Sequence, residues 1–148
     1  MIRCIVAVIC GIIAGSVFNM AVIMVSWAIY RPPEGADMYN PETLKTYIDS
    51  LPLPGFLLIL VAHAGGALVG GFVAARIAGR SALVLGAIVG GFFLLGGVIN
   101  ILSIPRPLWF AIVDVVLYLP CGIIGAKLVP CRTSPAGLDS NPPLHAEM

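Results

Sequence analysis

Five polar side chains stand inside otherwise apolar runs: Asn19, His63, Asn100, Asp114 and Tyr118. Their types are those of an intramembrane proton or cation site. An imidazole N–H can donate to a carboxylate, and a phenol one turn further along the same helical face can donate as well. An aspartate at the centre of a membrane helix costs about 2.5–3.5 kcal/mol on insertion scales, so Asp114 calls for a partner. His63 is the natural one, with Tyr118 as a second donor. Arg106 can snorkel toward the group from the interface. Asn19 and Asn100 are placed to bridge two helices by amide hydrogen bonds. Two meanings stay open for the cluster. It is interhelical glue around a structural Asp–His pair, or it is a functional proton or cation site.

Other chemistries find no support in the residues. One His and one Asp make two ligands, short of the four of a structural zinc site, so no metal and no cofactor is expected. There is no nucleophile on a strained turn, and Ser16 and Ser26 read as small helix residues, so no catalysis is expected. The four cysteines, Cys4, Cys10, Cys121 and Cys131, form no CxxC pair and read as thiols in a reducing compartment. A net charge of +1 with no basic patch argues against nucleic acid.

The elements that must position these residues are set by hydropathy. The chain has 148 residues, of which 59% are hydrophobic and 10% charged. A soluble domain carries about 25% charged residues, so this chain cannot coat a water-soluble globule. Four apolar runs, at about 4–30, 55–77, 82–104 and 108–129, are each long enough to cross a bilayer, which takes about 20 residues. The first continues too far to be a cleaved signal segment and is expected to stay as a helix. Trp27 and Tyr30 mark its far end as an aromatic belt, and Trp109 with Phe110 does the same for the fourth run. Pro120 interrupts that last run and predicts a kink.

Between the first two runs lies a polar stretch. Asn40-Pro41 reads as an N-cap followed by proline at the first helical position. Leu44, Tyr47, Ile48 and Leu51 then share one face. The pattern predicts a short amphipathic helix over about 41–50, lying on the membrane surface or on the bundle. The fold class expected is therefore an all-α membrane protein: a four-transmembrane-helix bundle over 1–129 with one extracytoplasmic amphipathic helix. Residues 130–148, rich in proline, are expected to form a disordered cytoplasmic tail.

Charge orients the bundle. Arg3, Arg76, Arg80, Lys127 and Arg132 fall on one side, and Arg31, Lys45 and Arg106 on the other with four acidic groups. The positive-inside rule places both termini in the cytoplasm. Asn19 then lies near the bilayer middle. His63 lies about 12 Å and Asp114 about 9 Å in from the outer ends of their helices, at 1.5 Å per residue. Asn100 precedes the turn at Pro105 by five residues. All four occupy the midplane or the outer half, which is the reason to treat them as one site beneath the amphipathic helix, with that helix as its lid.

Lipid supplies no hydrophobic drive for helix association, so small residues must let backbones approach. Ala62, Gly66, Gly70, Ala74 and Ala78 recur every four residues in the second run, widened by Ala67 and Gly71. Gly86 and Gly90, then Gly91, Gly96 and Gly97, are expected to answer from the third. Gly15–Met20 also echoes Gly96–Ile101, each segment being followed by an Arg/Pro turn. Such an echo is what two hairpins in a parallel repeat leave behind.

The ordered set Tyr30-Arg31-Pro32-Pro33, Leu51-Pro52, Ala62-His63, Gly70-Gly71-Phe72-Val73-Ala74-Ala75-Arg76, Asn100, Ile104-Pro105-Arg106-Pro107-Leu108-Trp109-Phe110, Asp114 and Pro120 resembles a group of small uncharacterised bacterial four-helix membrane proteins. The resemblance spans residues 1 to about 129. It implies a bacterial inner (plasma) membrane and four helices, and it implies no activity. Together these features favour a non-catalytic helix-packing or accessory subunit. Its partners would be the lipid bilayer and either a homo-oligomer or a larger membrane complex. The alternative is a small proton- or cation-coupled transporter or channel using Asp114 and His63, working as an oligomer or gated by the kinked fourth helix.

Overall fold

The computed structural model describes residues 2–79, 81–104 and 106–130. Arg80, Cys131, Arg132 and the expected tail beyond Pro130 lie outside the described residues. The described residues form five helices: α1 (Ile2–Ile29), α2 (Pro41–Ser50), α3 (Leu53–Ala78), α4 (Ala82–Ser103) and α5 (Leu108–Lys127). No strand occurs among them. Helices α1, α3, α4 and α5 are long and apolar enough to cross a membrane. Their outward faces carry exposed Ile, Val, Leu, Met and Phe side chains along their whole length. In water such a surface would drive aggregation; in a bilayer it is the solvated one. The chain is a multi-pass membrane protein of the all-helical class.

Helix boundaries follow local chemistry. The Asn40 side-chain oxygen accepts from the Glu42 N–H at 2.9 Å and the Thr43 N–H at 3.4 Å, with Pro41 behind it at the first helical position. Helix α3 begins at Leu53, two residues before the expected Gly55, so Pro54 sits in its first turn. Proline is tolerated there because that N–H has no intrahelical partner. Gly79 closes α3 in a left-handed conformation (φ 70°), its N–H donating to the Ala75 carbonyl at 3.1 Å. The tight α3–α4 turn needs that backbone shape, which glycine adopts without steric cost. Helix α5 runs unbroken through Pro120, although the Val116 carbonyl thereby loses its usual N–H partner.

Helix α3 is the hub. It packs most extensively on α1, then on α5 and α4, while α4 also lies along α5 and only brushes α1. The small-residue pairing differs from the expected one. The α3 stripe chiefly meets α1: Gly70 lies against the Gly11 carbonyl and Gly66 against the Gly15 carbonyl. Gly86 and Gly90 face α5, against Gly122 and the Tyr118 carbonyl. Ala74 joins Ala7, Ala78, Leu85 and Val89 in a buried cluster shared by α1, α3 and α4. The reason lies in α5. Gly122 and Gly125 give it a small-residue face of its own, so it wedges against both α3 and α4. A β-carbon at Gly71 would collide with the Gly122 carbonyl, and one at Gly125 with the Leu68 carbonyl.

Helix α2 lies on the bundle. Tyr47, Ile48 and Leu51 are buried against Phe56, Leu60 and Phe110, with Leu44 packed beside them. The Tyr47 hydroxyl donates to the Tyr30 carbonyl at 2.6 Å, tying α2 to the end of α1.

Candidate functional site

Phe110, Asp114 and Tyr118 follow one another at four-residue spacing on α5, and all three are buried. Asp114 is 1% exposed in a bundle whose other large buried groups are mostly apolar. Its carboxylate is held from two sides. The His63 Nδ1 lies 2.7 Å from Oδ1, and the Tyr118 hydroxyl donates to Oδ2 at 3.4 Å. The imidazole and the Tyr118 ring stack at 5.7 Å and 25°. Helices α3 and α5 approach closely where Gly71 meets Gly122, and further along the same pair of helices His63 reaches the carboxylate.

A carboxylate oxygen accepts hydrogen bonds, and in the tautomer that suits it the imidazole donates from Nδ1. The second ring nitrogen, Nε2, has no partner among the described residues and is not among the buried unpaired atoms. His63 itself lines the space beside the pair.

That space is a cavity of about 210 Å³. Its polar wall comes from Asn19 of α1, His63 of α3 and Asn100 of α4. Phe92, Phe93 and Tyr118 supply rings, Gly97 makes room for the Tyr118 ring, and Gly96 also lines the cavity. Asp114 stands behind His63 and Tyr118 and does not line it. The five polar residues singled out in the sequence thus gather around one spot, three as a hydrogen-bonded unit and two as walls.

The asparagines do not form the expected bridge. Arg106 takes the Asn100 side-chain oxygen through Nη2 at 3.0 Å, and its Nε contacts the Ile104 carbonyl at 3.4 Å. Its guanidinium lies over the Phe110 ring, 5.6 Å from the centroid. Asn19 Oδ1 is buried without a donor among the described residues. Arg106 is hydrogen-bonded to Asn100 rather than to Asp114. Burial lowers its guanidinium from the usual strongly basic range, and the charge of Asp114 works the other way.

Phe110 corrects another expectation. It is 1% exposed and forms part of the plug under α2, whereas Trp109 and Trp27 remain exposed as belt residues should. Its neighbours in the four-residue series, Asp114 and Tyr118, are the signal by which it is legible as inward-facing. Phe92 and Phe93 gave no such signal, being two apolar residues in an apolar run. Among the described residues no three His, Cys, Asp or Glu side chains come close enough to share a metal ion.

Comparison of the chain with family models, with curated proteins and with solved structures finds no match.

Proposed function

We propose that this protein is a small proton-coupled membrane transporter in which His63 and Asp114 form the protonatable element. One observation carries this reading: the hydrogen-bonded His63–Asp114 pair adjoins a cavity of about 210 Å³ that His63 itself lines, with Nδ1 engaged by the carboxylate and Nε2 free of any partner among the described residues. A pair serving only to neutralise a buried carboxylate needs no space beside it. Ionisable groups inside membrane spans cost free energy and generally mark ion or proton pathways. Histidine is the side chain whose charge changes most readily near neutral pH. Proton uptake at Nε2 would turn a polar contact into an ion pair and change what the cavity offers a solute. Helix α2 rests on Phe110, one turn from Asp114, and serves as the lid. In this reading both termini are cytoplasmic and α2 is extracytoplasmic, as the Lys/Arg distribution supports, and the membrane is a bacterial inner membrane.

The test is proton flux into dye-loaded vesicles containing the purified protein. Wild type should show a pH-dependent flux. Asp114→Asn and His63→Gln, each checked for helicity and monodispersity, should lose at least tenfold. Folded variants with unchanged flux would exclude the pair from the pathway.

An accessory, helix-packing role is the second reading. It is favoured by Gly91 and Gly96 of α4, which have open space where a β-carbon would stand and leave room for another helix. Purification in mild detergent with a stoichiometric companion chain would support it, and a monodisperse lone protein would weigh against it.

A further inference from the structure

The cavity beside His63 has a lateral mouth. It lies where α1 and α4 barely touch, and two of its lining residues, Phe92 (51% exposed) and Gly96, reach the lipid-facing surface. Both sit well inside a spanning helix, so the mouth opens on hydrocarbon rather than on water. Its size suits one ring: an apolar cavity of about 150 Å³ binds benzene, and this one is about 210 Å³. Phe92, Phe93 and Tyr118 offer faces and edges against which a ring can pack.

The charges nearby are already engaged. Asp114 is held by His63 and Tyr118, and Arg106 by Asn100. The polar groups left to a ligand are the His63 Nε2 and the amides of Asn19 and Asn100. They suit a neutral hydrogen-bonding group better than an ion, whose desolvation would go uncompensated. Resting on the proton-coupled reading above, we infer that the transported solute is a neutral amphiphile that enters from the bilayer. Its single-ring hydroxyl head docks on His63, and its alkyl tail leaves between α1 and α4 past Phe92 and Gly96. Binding of a hydroxyl donor at Nε2 competes with a proton there, which links solute occupancy to protonation.

The probe is an alkylphenol with a photoreactive diazirine in its chain, added to phosphatidylcholine vesicles holding the full chain. Adducts are mapped by mass spectrometry. Labelling should be saturable and concentrated on α4 around Phe92–Gly96 and on α1 near Asn19. It should be displaced by 4-hexylphenol and not by hexylbenzene or hexylammonium. Gly96→Leu, which fills the mouth where a β-carbon meets open space, should cut labelling at least tenfold. Gly91→Leu, in equally open space but away from the cavity, should leave it unchanged. Even labelling along all lipid-facing surfaces, displacement by hexylbenzene, or indifference to Gly96→Leu would overturn the inference. Proton flux measured on the same vesicles separates the two claims. Flux that depends on His63 without saturable labelling sinks only the amphiphile. Saturable labelling without flux leaves the ligand site standing and sinks the proton coupling.

Discussion

Gly125 and Gly91 occupy opposite surroundings although nothing in their local sequence separates them. A β-carbon at Gly125 would run into the Leu68 backbone, while one at Gly91 meets nothing within 4 Å. Backbone cannot move aside as a flexible side chain can. Gly125→Ala should therefore destabilise the bundle by about 1–3 kcal/mol, and Gly91→Ala should change it by less than about 0.5 kcal/mol, read by unfolding in mixed micelles. Equal effects would mean that α5 does not wedge against α3 as described. At the same scale the polar site was legible in part. Asp114, His63 and Tyr118 announced themselves because a charge in an apolar run has to find a partner. The bond from Arg106 to Asn100 was not legible. It depends on how the chain turns between α4 and α5, and an arginine at an interface has several acceptors within reach. Gly122 and Gly125 were overlooked for a related reason: small residues permit close approach to any neighbour and specify none.

Among the elements, α2 is the one whose position the sequence left open. Its apolar face suited lipid headgroups and bundle alike, and the choice depended on the complementary surface of Phe56, Leu60 and Phe110. Its docking depends on Tyr47, whose phenol is pushed above its ordinary 10.0 by burial. A raised acid pKa means that the folded form holds the proton more tightly. The contribution to docking is complete below pH 10 and fades as pH rises through the folded value. Cysteine accessibility along 41–50 should thus increase above that pH, and Tyr47→Phe should remove this alkaline step. A flat profile in wild type would contradict the Tyr47–Tyr30 tether. The helix start itself is worth testing. Asn40→Ala removes the cap on two N–H groups and should cost α2 about 1 kcal/mol, seen as faster hydrogen exchange in its first turn. If α2 is a lid, its labelling must also respond when Asp114 becomes Asn. Labelling blind to that change would leave α2 a passive cover.

For the molecule as a whole, hydropathy made the four spanning helices legible, because bilayer thickness fixes their length within narrow limits. The packing order was not, since a hub at α3 with α1 and α5 flanking it reflects glycine contacts between distant segments. What the arrangement accomplishes is to hold one acidic side chain, fully shielded from lipid, against one imidazole that lines a cavity. That single pair is what distinguishes this bundle from a wholly apolar one. The most direct examination is nitrogen-15 spectroscopy of the His63 ring in the reconstituted protein. Nδ1 should carry a proton hydrogen-bonded to the Asp114 carboxylate, and Asp114→Ala should abolish that signature. A ring whose Nδ1 carries no proton, or whose spectrum is unchanged by Asp114→Ala, would contradict the account.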